Sequence, residues 1–225
     1  MPATPQKFIH DVLHNPANCA ILERLPALNL PDAWLVAGCL FQTVWNLQSG
    51  LAPYAAIKDY DLFYFDASDL SAAAEAAVQA KTALHFADVA VAIEAKNQAR
   101  VHTWYPDYFG RPYAPLRSSQ EGIDRFLVPC TCVGLSNATR RAGPVSADHL
   151  TLYAPYGLDE LYKGILRPNP LCDHPALFAD KVRSYQARWP GLHMRKSCTS
   201  VTATNEQVHV EADPDWSTRT ERRSV

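Results

Sequence analysis

The chain has 225 residues, 48% of them apolar and 10% aromatic, which suits one domain with a sizeable core, or one domain with a small appendage. Its formal net charge of −2 gives no sign of a general nucleic-acid-binding surface, which would show as a basic excess, and leaves room for a local basic patch. No apolar run reaches membrane-spanning length and the N-terminus lacks the charged-then-apolar pattern of a signal peptide, so the expectation is a soluble, cytoplasmic protein without a membrane partner.

The first elements in chain order are two helices. "TPQKFIHDVLH" offers Thr4 as N-cap with Pro5 in the first turn, and "NPANCAILERL" repeats the device with Asn15 and Pro16. "LNLPDAW" breaks the pattern. "AWLVAG" reads as a short buried strand, Ala33 to Ala37, with Gly38 and Cys39 as the turn. A helix over "LFQTVWNLQ" follows, with Leu40, Val44 and Leu47 recurring at three or four. After the loop "SGLAPYAAIK", the aromatic-rich "DYDLFYF" is the clearest strand. "SDLSAAAEAAVQAKTALHF" reads as an alanine-rich helix capped by Ser68. "DVAVAIEAK" is a further strand, and "NQARVHTWYPDYFG" a helix ending before Pro106.

From Arg111 onward the elements are shorter. "SSQEGIDRFL" and "GLDELYKGI" read as helices, "CTCVGLS" and "LTLYAP" as strands, and "HPALFADKVRSYQARW" as a final amphipathic helix. The alternation of strand and helix argues an α/β or α+β fold, with a mixed sheet flanked by helices and extra helices and short strands in the C-terminal half. One domain is expected over residues 1–211, and the polar tail 212–225 is expected to be disordered.

Six cysteines are scattered at positions 19, 39, 130, 132, 172 and 198. None forms a CxxC pair, and the Cys130–Cys132 spacing does not match a zinc knuckle, so reduced core thiols are expected. A zinc or thiol-redox protein using Cys130 and Cys132 is the reading that this expectation opposes.

Two acids stand at the entrance of the aromatic strand. Strand alternation puts Asp59 and Asp61 on one face, roughly 6.6 Å apart from a rise of about 3.3 Å per residue. Phe63 and Phe65 follow on that face and are expected to enter the core, with the strand covered on both sides. Such a pair can converge on one metal ion or bridge two. Glu94, late in the next apolar strand, adds a third carboxylate if the two strands are neighbours. Hard oxygen donors of this kind suit Mg²⁺ or Mn²⁺. The plainer alternatives are that the aspartates are solvated turn residues and that Glu94 pairs with Lys96 or Arg100.

The order "LVAGC", helix, "KDYDLFYFD", later strand acid resembles the nucleotidyltransferase fold shared with DNA polymerase beta. More closely, "WLVAGCLFQTVWN", "IKDYDLFYFD", "NQARVHTWY" and "APYGLDELYKGILRPNP" are similar to a bacterial nucleotidyltransferase-like family whose substrate is unassigned. The resemblance spans about residues 10 to 190. It implies that Gly38 and Cys39 form the turn that holds nucleotide phosphates, that Asp59 and Asp61 bind metal, and that Glu94 is the third carboxylate, which helps activate the acceptor. A small-residue turn at a helix N-terminus lets backbone amides reach phosphate oxygens. Two departures stand out: Cys39 occupies a position that is often Ser, and the Gly38-to-Asp59 gap is longer than usual.

Further candidates surround this set. Lys58 and Arg100 are placed as nucleotide-binding residues, with solvation as the plain reading of Lys58. His102, Trp104 and Tyr105 can reach a base or be ordinary packing residues. Arg125 and Arg167 are phosphate candidates, and Asp66 and Asp69 either support the site or open a helix. The resemblance implies a metal-dependent enzyme, with Mg²⁺ or Mn²⁺, that moves a nucleoside monophosphate from an NTP to a hydroxyl acceptor and releases pyrophosphate. The acceptor is expected to be a small molecule in preference to nucleic acid. The alternative is a non-catalytic nucleotide-binding or regulatory partner on the same fold.

Overall fold

The computed structural model describes residues 3–137 and 144–195. Helices α1 (Pro5–Val12) and α2 (Pro16–Arg24) open the chain. Thr4 accepts from the Lys7 amide and Asn15 from the Ala17 amide, and each helix begins with proline, where a missing N–H costs nothing. Strand β1 (Trp34–Val36) leads into α3 (Gly38–Gln48), and β2 (Asp59–Tyr64) is joined through α4 (Ala72–His85) to β3 (Ala92–Asn97). There follow α5 (Val101–Phe109), α6 (Ser119–Ile123), β4 (Gly134–Asn137), β5 (Leu150–Tyr153), α7 (Asp159–Lys163), β6 (Ile165–Leu166), α8 (Pro175–Arg188) and β7 (His193–Met194).

The main sheet has the order β3-β2-β1-β4-β5, and β6 with β7 forms a small parallel pair. In the main sheet β2 and β3 run parallel and the other neighbours antiparallel. A parallel pair needs a long crossover, which α4 supplies. The fold is therefore α+β, a mixed sheet flanked by helices.

One face of the sheet is the floor of the core. Leu35, Tyr60, Leu62, Tyr64, Ala95 and Leu135 are buried there, under Phe8, Leu22, Leu40 and Val44 of the N-terminal helices. Each fully buried Leu or Phe of this kind contributes about 1.5–3 kcal/mol. Helix α8 closes the layer with Phe178, Val182 and Tyr185. Tyr185 packs against Phe41 and Trp45, and Trp189 Nε1 donates to Asn46 Oδ1 at 2.9 Å.

The opposite face differs from expectation. Burial alternates along β2, so Asp59, Asp61 and Phe63 are only partly covered. Phe63 joins a small cluster with Phe126, Trp34 and Val36, and Phe65 lies half-buried beyond the strand. The strand is thus sealed on one side and half-open on the other.

Several boundaries shift for identifiable reasons. The cap of α4 is Ser71, whose side chain accepts from the Ala74 amide, while Ser68 is held by Asp66. Helix α5 runs through Pro106 to Phe109 and ends at Gly110 with φ 65°. Proline forfeits one helical hydrogen bond there. That loss is offset by stacking of Tyr105 on Phe109 and Tyr113, with centroids 4.5 and 4.3 Å apart. The strand expected over Cys130 to Cys132 begins only at Gly134, because Pro129–Thr131 forms a 3₁₀ turn closed by Thr131 Oγ1 on the Val128 carbonyl. Both thiols are buried, and burial pushes that of Cys130 up to about 12. Neither is therefore a ready thiolate for zinc or redox chemistry. The tail 212–225 and Cys198 lie outside the described residues. Among those described, no helix is long and apolar enough to cross a membrane.

Candidate active site

The parallel register of β2 and β3 sets Asp61 beside Glu94, Asp59 beside Ala92 and Phe63 beside Lys96. Alternation then gathers Asp59, Asp61, Glu94 and Lys96 on the half-open face. On the other flank, antiparallel pairing puts Val36 beside Asp61. The end of β1, and with it the turn into α3, therefore lies next to the acids.

The charges on this face are unbalanced. The Asp61 carboxyl is pushed up to about 7, first by burial and then by the neighbouring charges of Glu94 and Asp59. Two cations oppose that shift, Lys96 and Lys181. Lys96 Nζ lies 3.3 Å from Glu94 Oε2, so the ion pair weighed for Glu94 is made with Lys96. Lys181 comes from α8. Nothing in its local sequence signals this role; only the packing of α8 on α3 brings it to the site.

The donor set suits a hard divalent cation, being all oxygen with like charges crowded together. As folded, no three His, Cys, Asp or Glu side chains among the described residues are arranged to hold a metal ion together. Asp59 and Asp61 share one face of β2 with Glu94 beside Asp61, and Glu94 is paired with Lys96.

The turn into α3 carries strain at a residue that sequence reasoning missed. Ala37 sits at φ 58°, ψ −128°, a region that favours glycine. Gly38, the first residue of α3, lies close to the flexible end of Gln42: a Cβ there would meet Gln42 Nε2 at 2.8 Å, a contact that the glutamine can relieve by moving. Gln42 Oε1 is buried without a hydrogen-bond partner. The amides of Gly38 and Cys39 belong to the first helical turn and have no intrahelical acceptor, which is the geometry that receives anions.

Cys39 contributes differently from expectation. Its side chain is fully buried, with Sγ directed at the Val36 carbonyl 3.4 Å away. Its carbonyl accepts from Asn18 Nδ2 at 3.0 Å and Thr43 Oγ1 at 2.7 Å. Only the backbone amide of Cys39 remains for a phosphate. A position that packs inward has no need of a serine hydroxyl, so the departure from Ser leaves the turn intact.

Arg100 is not brought to the acids. Its guanidinium binds Glu75 of α4 and donates from Nε to the Leu70 carbonyl, on the α4 side of the sheet. Glu75 also accepts from the Asn97 amide, so the pair fastens α4 to the end of β3. Lys58 is exposed and adjoins Asp59. His102 is half-buried with Nδ1 unpartnered, Trp104 packs beside Tyr105, and the Tyr105 hydroxyl lies 2.7 Å from His174 Nε2. Arg125 lies over the Tyr113 ring and Arg167 pairs with Glu160. Asp66 and Asp69 accept from the Ser68 and Ser71 amides as turn residues.

A strand bearing paired acids thus lies beside a turn that opens a helix, the arrangement that the sequence resemblance implies. A family model described as nucleotidyltransferase matches residues 23–194, and the chain belongs to that family. It is also similar to a solved structure, determined by NMR and described as revealing a CCA-adding enzyme head domain. That match has 26% identity and a TM-score of 0.69, and covers 88% of this chain and 98% of the other. No curated protein matches the chain.

Proposed function

We propose that this nucleotidyltransferase is metal-dependent and transfers a nucleoside monophosphate from an NTP to a hydroxyl acceptor, with release of pyrophosphate. The observation that carries the reading is the register of Asp61 with Glu94, with Asp59 on the same face and the turn into α3 alongside. Asp59, Asp61 and Glu94 would hold Mg²⁺ or Mn²⁺, which supplies neutralisation of phosphate charge and activation of the acceptor hydroxyl. The amides of Gly38 and Cys39 hold the phosphates at the N-terminus of α3, where the helix dipole favours negative charge. Asn18 fixes that turn through the Cys39 carbonyl. The network of Asn15, Thr43 and the Tyr60 hydroxyl then ties α3 to the back of β2. Catalysis is positioning and charge stabilisation, with no covalent enzyme intermediate.

The acceptor is a small hydroxyl compound in preference to nucleic acid, supported by the net charge of −2. The test follows label from α-labelled and γ-labelled NTPs, with Mn²⁺, into separate pools of small metabolites, RNA and protein. The expected result is α-label joined to one pool, pyrophosphate released, and both lost in Asp59→Asn. Transfer of γ-label would overturn the reaction type. Folded protein that binds an NTP yet labels no pool would favour the non-catalytic nucleotide-binding alternative.

A further inference from the structure

We propose that Lys96 is a triphosphate-binding residue that Glu94 holds in reserve until a divalent ion takes the carboxylate. The inference rests on the metal-dependent reading above and concerns what offsets the substrate's charge.

Lys96 and Glu94 are two residues apart on β3 and share the half-open face, with Nζ to Oε2 at 3.3 Å. Their side chains keep 29% and 26% of their surface exposed, so a ligand can reach both. The pair is neither a core ion pair nor a freely solvated one. Lys96 lies two register positions beyond the Asp61–Glu94 pair, beside Phe63. A face with three carboxylates repels a triphosphate. Even with two divalent ions the carboxylates and a triphosphate together stay negative, so a cation on the same face is required. Lys96 is that cation on the sheet itself, and it already faces the charge of Asp61.

The exchange is chemically balanced. Glu94 leaves an ammonium for a divalent ion, a better partner for a hard oxygen donor. The released ammonium, a point charge on a flexible stem, turns to a phosphate oxygen. No bond is made or broken and no proton moves. The ion pair thus has two effects: it lowers the cost of three adjacent carboxylates before substrate arrives, and it delivers a cation once metal and nucleotide bind.

The test separates metal from phosphate. Calorimetry would measure binding of Mn²⁺ alone, then of inorganic tripolyphosphate at saturating Mn²⁺, for wild type, Lys96→Met and Lys96→Arg. Each variant would be checked for folding by urea denaturation. Lys96→Met should bind Mn²⁺ alone about threefold or more tightly, because Glu94 is freed, and tripolyphosphate about tenfold more weakly, the scale of one charge-assisted hydrogen bond. Lys96→Arg should recover most of the tripolyphosphate affinity. Unchanged tripolyphosphate affinity in folded Lys96→Met would overturn the proposal. So would a parallel loss of Mn²⁺ and tripolyphosphate affinity, which would mean that Lys96 only positions Glu94. Wild-type protein that binds tripolyphosphate equally with and without Mn²⁺ would overturn the metal-dependent reading as well.

Discussion

Asp61 carries the most perturbed environment on the half-open face. Its folded value of about 7 lies above the ordinary 3.8, with burial the first cause and Glu94 and Asp59 the next. The folded state therefore holds more protons than the unfolded chain between about pH 4 and pH 7, and stability falls as pH rises through that window. After discounting for the partial exposure of the face, the loss is on the order of 2 kcal/mol. In metal-free buffer, urea denaturation should show wild type losing that much relative to Asp61→Asn between pH 4.5 and pH 8. Parallel pH profiles for the two proteins would contradict this account. Ala37 makes a second prediction at this scale. Its positive φ costs a side chain of any kind, so Ala37→Gly should raise stability by up to about 1 kcal/mol and leave nucleotide affinity within twofold. Ala37→Val should lower stability, with the midpoint in urea as the readout for both.

At the scale of elements, strands and helices were legible where local chemistry decides them. Thr4 and Asn15 cap helices as their positions suggest, and the aromatic strand and alanine-rich helix stand where pattern puts them. The misreadings share a cause, which is tertiary packing overriding a local rule. Pro106 should end α5, yet the aromatic stack of Tyr105, Phe109 and Tyr113 keeps the helix going. Phe63 looks like a core residue, yet β2 shows that side to the acid face. Arg100 looks like a nucleotide-binding residue because its segment reads as a helix leaving the strand of Glu94. It is instead the fastener between α4 and β3, through Glu75. Arg100→Met should therefore lower stability by about 1–3 kcal/mol, read as a shift in the urea midpoint, while nucleotide affinity measured by calorimetry stays within twofold. A tenfold loss of affinity without a loss of stability would restore Arg100 to the site.

The whole molecule joins pieces that no single stretch of sequence connects. The neighbouring of β2 and β3 stood in the sequence only as a condition; the structure meets it with a parallel pair joined through α4. That β1 lies between β2 and β4, and so carries the Gly38 turn to Asp61, depends on long-range pairing that periodicity does not encode. The approach of Lys181 depends on α8 docking against Phe41 and Trp45, over a hundred residues earlier in the chain. The acids were legible because carboxylates in an apolar strand need a reason. Of the cations that answer them, Lys96 was legible as a partner for Glu94 two residues away, whereas Lys181 was not, because it arrives from a helix distant in sequence.

The central claim is that Asp59 and Asp61 bind nucleotide through a divalent ion, and it is tested most directly by calorimetric titration. Non-hydrolysable analogues of the four NTPs would be titrated into wild type and into the Asp59→Asn, Asp61→Asn double variant, each with and without Mn²⁺. The account predicts binding of at least one analogue that requires Mn²⁺ and is lost in the folded double variant. Nucleotide binding that is indifferent to Mn²⁺, or that survives in the double variant, would contradict it.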